Sequence, residues 1–239
     1  LSSIEKIVPV EEAAEEAPVE EEKTSYLSDA WDYVSNLGEE LSKPSESEID
    51  IYETNPKEVN LQGVGGFTVY QGLNDHLSGL DRSIGYYYDE PTTKDFILKD
   101  IDNKVQKRYL DPLVDKIKAK SNDPNQQAKI AISLVQSIPY DWDGLYGIPE
   151  GRMPYEVLYD KTGVCGEKSG LLTYLLRELG FGVAIFEYEA ENHRAVGIRC
   201  NNGNYNSQYC FIEATDHYPI GKIPSNYVGG ADIRNANPE

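Results

Sequence analysis

The sequence predicts an α+β fold in which a group of helices precedes an antiparallel sheet. Between residues 93 and 180, apolar residues recur at intervals of three and four, which is the spacing of one face of a helix. Beyond residue 181 the interval becomes two, in 182–193, 194–200 and 209–215, as expected of half-buried strands. Helices followed by neighbouring strands indicate segregated layers rather than alternating β–α units.

Three helices are predicted over residues 93–117, 123–138 and 165–180. The first is expected to bend at Pro112, because proline lacks the N–H that a helix interior requires. The third is expected to end at Gly180, a residue type suited to a helix C-cap. Two stretches have no clear period: 60–92 is interpreted as loops and short strands, and 139–163 as an aromatic and acidic loop.

The charge of the chain is concentrated near its beginning. The 239 residues include 41 acids and 22 bases, a formal net charge of −19, and residues 1–60 alone hold 17 acids and 4 lysines. This composition predicts a solvated acidic tether over 1–60, with an amphipathic helix near 26–42, ahead of a mildly acidic domain over 61–239. So negative a chain is not expected to bind nucleic acid, which requires Lys and Arg at the phosphates.

The tether also bears on where the protein acts. No apolar stretch reaches the ~18 residues that a membrane span needs, so we expect membrane association only through an anchor upstream of Leu1. An acidic tether before a compact domain is typical of proteins presented outside the cytoplasm after a signal or anchor. The sequence therefore favours an extracytoplasmic or cell-surface location, with the cytoplasm as the alternative.

Cys165 is the candidate nucleophile. It lies in TGVCGEKSGLL, where a glycine-flanked turn opens the third helix. The positive end of the helix dipole and the unpaired amides of the first turn stabilise a thiolate there. The same amides can hold an oxyanion when a carbonyl is attacked. The alternative is an inert buried cysteine, which the glycines and the polar residues Glu167, Lys168 and Ser169 make less favourable.

A nucleophilic cysteine requires a base, and the chain has three histidines, His76, His193 and His217. His193 begins a predicted strand 28 residues after Cys165, whereas His76 lies in a glycine-rich loop. There is no CxxC and no HxxxH pair, so the sequence predicts neither a metal centre nor a cofactor.

Three segments together resemble the core of the transglutaminase-like superfamily, which has a papain-like α+β fold with a nucleophile helix packed on an antiparallel sheet. They are PYEVLYDKTGVCGEKSGLLTYLLRELGFGVA, NHRAVGI and YCFIEAT, preceded by VQSIPYDWD, which is similar to the family's lead-in helix and aromatic turn. The resemblance covers about residues 125–221. It implies that Cys165 is the nucleophile, that His193 is the general base, and that an acid on the following strand orients the imidazole.

The family usually has Asp as this third member, and here the candidates are Glu213 and Asp216. Side chains alternate between the two faces of a strand. In a simple hairpin of 194–200 with 210–215, Glu213 projects on the side of His193 and Asp216 does not. We therefore predict Glu213 as the third member, with Asp216 as the alternative.

The same hairpin bears on Cys200 and Cys210, which share its apolar face and either form a disulfide or remain as two buried thiols. A hairpin centred at Tyr205 would place the two cysteines opposite each other. One centred at Gly203 or Asn204 would instead bring the predicted acid close to the predicted base. A regular ladder is not expected to do both.

An oxyanion hole would use the backbone amide of Cys165 and one donor from upstream in the chain. Gln136, Tyr140 and Trp142 are the candidates, and the last two lie on the aromatic turn. For each of them, packing is the alternative role.

Two functions fit these residues. The first is a cofactor-free thiol enzyme that forms a thioester with a peptide or protein amide; water would resolve the thioester in a peptidase or amidase, and an amine in a transglutaminase. The second is a non-catalytic transglutaminase-like binding or scaffold domain at the cell surface, which binds a partner or glycan through a surface rich in the chain's 18 tyrosines. The presence of both Cys165 and His193 favours the first.

Overall fold

The structure is a computed structural model that describes residues 45–86, 90–144 and 151–237. These residues form an α+β fold with seven α-helices and two antiparallel sheets. The helices are α1 (Glu46–Tyr52), α2 (Gln71–Ser78), α3 (Thr93–Ile101), α4 (Lys104–Lys118), α5 (Pro124–Gln136), α6 (Pro154–Asp160) and α7 (Cys165–Glu178). The strands are β1 (Pro56–Leu61), β2 (Gly65–Tyr70), β3 (Val183–Tyr188), β4 (His193–Arg199), β5 (Tyr209–Ile212) and β6 (Asp232–Asn235).

Strands β1 and β2 form an antiparallel hairpin that lies across the boundary predicted between residues 60 and 61. Val59 and Leu61 of β1 and Phe67 and Val69 of β2 are buried in the main core. The folded unit therefore includes residues 45–60 as well as the predicted domain. The acidic segment before them, with the helix predicted near 26–42, lies outside the described residues.

The helix predicted over 93–117 is in fact two helices, α3 and α4. Asn103 lies between them and caps α4, its side-chain oxygen accepting a hydrogen bond from the Gln106 N–H at 3.1 Å. Pro112 lies inside α4 and does not end it. The polar cap thus divides the apolar periodicity that the sequence presents as continuous.

Two short helices, α2 and α6, occupy stretches that were predicted to be loops and strands. Helix α6 begins with Pro154, and the Glu156 carboxylate accepts a hydrogen bond from the Met153 N–H at 2.8 Å. Tyr155, Val157 and Leu158 are fully buried. Seven residues give too few turns for a helical period to be visible in the sequence. The burial of these three side chains stabilises the short helix.

The larger sheet has the strand order β5-β4-β3-β6, and α7 packs on one face of it. The alternation predicted for β4 and β5 is confirmed. Val196, Ile198 and Ile212 face the helices, whereas Ala195 and Phe211 belong to a second apolar cluster on the opposite face. Edge strand β6 was not predicted. The arrangement brings the start of β4 and the end of β5 to the first turn of α7.

Cys200 and Cys210 form a disulfide, with Cα atoms 5.8 Å apart. The β4–β5 register pairs Ile198 with Cys210 and Arg199 with Tyr209, so the hairpin is centred at residue 204. The disulfide therefore joins diagonal neighbours rather than opposite ones. The expectation that one ladder cannot accommodate both the disulfide and the acid–base contact was wrong, because this diagonal distance is within disulfide range.

Candidate active site

Cys165 is the first residue of α7 and is partly exposed. The turn before it is held by Glu167, whose carboxylate accepts hydrogen bonds from the backbone N–H groups of Val164 at 2.9 Å and Arg152 at 2.8 Å. The sulfur thus lies at the positive end of a 14-residue helix.

His193 reaches this sulfur from the start of β4. The Cys165 thiol lies within hydrogen-bonding reach of the His193 ring. On the other side of the ring, Nε2 is 3.1 Å from Oε2 of Glu213, which leaves Nδ1 as the nitrogen available to the thiol. The structure therefore brings the three predicted residues together in the order thiol, imidazole, carboxylate.

The environment of this group favours charge separation between sulfur and ring. Burial raises the pKa of the Cys165 thiol. His193 and the Arg194 backbone N–H lower it by a larger amount, so the pKa lies below its ordinary value. Burial lowers the pKa of His193, whereas its hydrogen bonds to Cys165 and Glu213 raise it to about 9. These interactions stabilise a thiolate at Cys165 and an imidazolium at His193 relative to the neutral pair.

Glu213 is 2% exposed, and both of its oxygens are bonded. Oε1 accepts from the Thr215 backbone N–H at 2.9 Å and from the Thr215 hydroxyl at 2.7 Å. Burial raises the pKa of Glu213, but these bonds and His193 lower it below the usual value. Asp216, the alternative third member, is exposed, and its carboxylate accepts from the His217 N–H at 2.7 Å.

Tyr140 is the oxyanion candidate that lies at the thiol. Its hydroxyl lies near both the side chain and the backbone N–H of Cys165. Burial and, to a smaller extent, the charge of Cys165 raise the pKa of the hydroxyl. The aromatic turn is held against the α7 N-terminus by Gly163, whose N–H donates to the Pro139 carbonyl at 3.3 Å. Trp142 is 75% exposed, with its ring 4.6 Å from that of Tyr140.

Gln136 does not point toward an oxyanion position. Its amide nitrogen donates to the backbone carbonyl of Glu213 at 2.9 Å, and its amide oxygen is 3.3 Å from Nδ1 of His217. It therefore ties the end of α5 to the strand that carries the acid. His76 lies elsewhere, with Nε2 3.5 Å from the Tyr52 hydroxyl.

Tyr227 is a site residue that the sequence reasoning missed. Its hydroxyl donates to Oε2 of Glu213 at 3.0 Å, and its ring centre is 5.0 Å from that of His193. Burial and the neighbouring Glu213 raise its pKa. It lies in a loop, as one of 18 tyrosines, and no local pattern distinguishes it.

Lys168 is the second missed residue. It is fully buried, and its Nζ donates to the backbone carbonyls of Ile138 at 2.5 Å and Thr215 at 3.5 Å. Burial lowers its pKa to about 8, although the Glu213 and Asp216 carboxylates oppose this. Lys168 thus links the helix of the nucleophile to the aromatic turn and to the strand of the acid. Glu167, Lys168 and Ser169, the polar residues after Cys165, are all buried, whereas Cys165 itself is partly exposed.

The described residues contain no group of three or more His, Cys, Asp or Glu side chains arranged to hold a metal ion. None of their helices combines the length and the apolar character that crossing a membrane requires.

Comparison with known proteins gives little further information. No protein-family model and no curated protein matches the chain. One solved structure that matches is that of a putative protease from Parabacteroides distasonis, with 13% identity and a TM-score of 0.35 over 69% of this chain and 37% of that one. This chain thus corresponds to little more than a third of that protein.

Proposed function

We propose that the chain is a thiol-dependent acyl-transfer enzyme on a papain-like core of the transglutaminase type, acting on a peptide or protein amide. The observation that carries this proposal is the continuous contact from Cys165 through His193 to Glu213 at a helix N-terminus, with 3.1 Å between Nε2 and Oε2. A structural cysteine needs neither an imidazole partner nor a buried carboxylate behind that partner.

The reaction follows from the positions of these groups. The Cys165 thiolate attacks the carbonyl carbon, and the imidazolium of His193 then gives its proton to the leaving amine, which departs as the thioester forms. Water or an amine then attacks the thioester, with His193 accepting a proton from it and the thiolate leaving. The first outcome is hydrolysis and the second is transamidation. Every group required is a side chain or backbone group, and no cofactor takes part.

The developing oxyanion would be held by the backbone N–H of Cys165 and the hydroxyl of Tyr140. These two donors lie near each other, since the backbone N–H of Cys165 lowers the pKa of the Tyr140 hydroxyl. A substrate carbonyl oxygen that enters between them would accept from both. Tyr140 therefore takes the role that the sequence leaves open among three residues.

Glu213 would serve as the family's usual Asp does, by fixing the ring tautomer and stabilising the imidazolium. A longer side chain has more conformational freedom, but here Thr215 and Tyr227 bond both carboxylate oxygens. Gln136 supports the same position by bonding the Glu213 carbonyl.

We also propose that the enzyme acts outside the cytoplasm, where disulfides persist. The Cys200–Cys210 disulfide and the acidic composition of residues 1–60 support this location. Intact-mass measurement of the protein purified from its native host, with and without reductant, tests it: an oxidised pair is expected, and a pair found reduced would contradict it.

The test of the proposed activity is alkylation by iodoacetamide at neutral pH, compared among the wild type, Cys165→Ala and His193→Ala. We expect a single fast-reacting thiol in the wild type, none in Cys165→Ala, and a slow one in His193→Ala. Reaction no faster than that of a free thiol, unchanged by His193→Ala, would instead favour a non-catalytic domain.

A further inference from the structure

A cavity of about 630 Å³ lies beside the candidate nucleophile, between the start of α7 and helix α3. Part of its wall is apolar, with Phe96 and Ile97 from α3, and Gly166 brings it next to Cys165. Three arginines, Arg82, Arg152 and Arg194, belong to the polar part of the wall, together with Ser83, Asp100, Glu167 and Asn192. So many guanidinium groups around one cavity are unexpected in a chain with a net charge of −19.

Two of these arginines are structural. The Arg82 side chain, 7% exposed, pairs with Glu156 and bonds the Gly151 carbonyl. Arg152 pairs with Asp141 at 2.7 Å and with Asp160 at 2.9 Å. Their hydrogen-bonding capacity is used to hold the wall together.

Arg194 differs from them. Its Nη2 is 3.1 Å from Glu187, but the other oxygen of that carboxylate is taken by Arg234 at 2.8 Å, so one acid is shared by two guanidinium groups. Among the described residues, the Nε of Arg194 is buried without a hydrogen-bond partner. A buried donor of a charged group is costly to leave unbonded, so an acceptor on a bound ligand would stabilise it.

The position of this guanidinium relates it to the reacting sulfur. Arg194 directly follows His193, and its backbone N–H lies near enough to the Cys165 thiol to lower the pKa of that thiol. A Cβ atom placed on Gly166 would lie 2.9 Å from Nη1 of Arg194, so the guanidinium covers the residue next to the nucleophile. An acceptor on a bound substrate would therefore meet Arg194 close to the attacked carbonyl.

The acids near the cavity do not occupy this place. Glu187 is not part of the wall. Glu167 is part of it, but its carboxylate bonds the Val164 N–H at the start of its own helix and also bonds Arg152. Asp100 is the other acid of the wall and comes from α3. At Arg194 the wall thus presents a donor group that suits a carboxylate, to which arginine binds in a planar, two-bond geometry.

We propose that this cavity is a substrate subsite that selects a carboxylate, that of an acidic residue next to the attacked carbonyl of a peptide, with Arg194 as the binding group. The inference rests on the proposed role of Cys165 as an acyl-accepting nucleophile. Phe96 and Ile97 would pack against the methylene groups of such a residue.

Two alkylating reagents of nearly equal size test the proposal. Iodoacetate carries a carboxylate one bond from the carbon that the sulfur attacks, and iodoacetamide carries a neutral amide in its place. We expect the ratio of their rate constants at Cys165, iodoacetate over iodoacetamide, to fall about tenfold in Arg194→Met, as a lost charge-assisted hydrogen bond implies. Any change in thiolate fraction cancels, because it affects both reagents equally.

Arg234→Met is the matched control, since Arg234 pairs with the same Glu187 but does not line the cavity. We expect its ratio to match that of the wild type. An unchanged ratio in Arg194→Met, or an equal fall in Arg234→Met, would overturn the subsite. Arg194→Lys, which keeps the charge, is the second variant if the methionine substitution prevents folding, and we expect a smaller fall for it.

A second assay uses peptide thioesters that carry Glu or Gln at the residue of the attacked carbonyl. Faster acylation by the Glu peptide, abolished in Arg194→Met, is expected, and equal rates in the wild type would contradict the subsite. Failure of the proposed function looks different: neither peptide would acylate Cys165, and neither alkylating reagent would react faster than with a free thiol.

Discussion

Replacement of Glu213 by Gln removes one charge from the candidate site and keeps the side chain's size. Glu213 accepts from His193 at 3.1 Å and is 2% exposed, so water cannot replace the lost carboxylate. The His193 pKa should fall back toward its ordinary value, because a stabilising negative charge is lost and the lowering effect of burial remains. The ion pair between His193 and Cys165 should weaken as a result.

The size of this effect follows from the pKa of His193. Its two partners raise that pKa from 6.5 to about 9 against the effect of burial. The change corresponds to about 3 kcal/mol, at about 1.36 kcal/mol per pKa unit. If Cys165 and Glu213 contribute equally, loss of the carboxylate costs about 1.5 kcal/mol, which is roughly tenfold in the ion-pair equilibrium.

The assay is the rate of Cys165 alkylation by iodoacetamide from pH 5 to pH 10. In Glu213→Gln we expect a rate about tenfold lower on the acid side of the profile, a midpoint moved to higher pH, and an unchanged limiting rate in base. Asp216→Asn is the control, since it makes the same exchange three residues later, on an exposed side chain. A Glu213→Gln profile that superimposes on that of the wild type would refute the ion-pair reasoning.

Three further predictions concern other residues. Tyr140→Phe should lower the rate of acylation by a peptide thioester about 10²-fold with little change in KM, as loss of an oxyanion donor does; an unchanged kcat would remove Tyr140 from that role. The unfolded chain keeps the Lys168 proton up to about pH 10.5, whereas the folded protein releases it near pH 8. As the pH rises between these values, the free energy of unfolding of the wild type, measured with urea, should therefore increase by up to about 3 kcal/mol relative to that of Lys168→Met. A difference between the two proteins that does not change with pH would contradict a lowered pKa of Lys168. The double variant Cys200→Ser/Cys210→Ser should lose about 2–3 kcal/mol of unfolding free energy, as expected for a loop closed by residues ten apart; a loss equal to that of Cys165→Ser would contradict it.

The sequence predicted the parts of the site that depend on local pattern. The glycine-flanked turn before Cys165 predicts a helix start, and α7 begins at that residue. Alternation along β4 and β5 predicts that Glu213 lies on the side of His193, and the two side chains are bonded. Both inferences need only the period of one element and the pairing of two adjacent strands.

The remaining features depend on contacts between distant segments. Tyr227 bonds Glu213 from a loop 14 residues away, and Lys168 bonds the carbonyl of Ile138, 30 residues away. A lysine in a polar run is interpreted as exposed, because burial of an ammonium is costly unless acceptors surround it. Only the packing of α7 against α5 and the sheet shows that backbone carbonyls supply those acceptors.

The prediction that one ladder cannot hold both the disulfide and the acid–base contact was wrong for a related reason. Strict alternation treats a hairpin as flat and counts only opposite pairs, whereas a twisted ladder also brings some diagonal neighbours close. Cys200 and Cys210 are such a pair, with Cα atoms 5.8 Å apart. Twist is a property of the paired strands and leaves no mark in either one's sequence.

The proposed function requires that Cys165 accept an acyl group with the help of His193. Mass spectrometry of the protein mixed briefly with a peptide thioester tests it directly. We expect one acyl group per chain, located on the peptide that contains Cys165, absent in Cys165→Ala and strongly reduced in His193→Ala. A wild type that gains no acyl group, or an adduct that persists in Cys165→Ala, would contradict it.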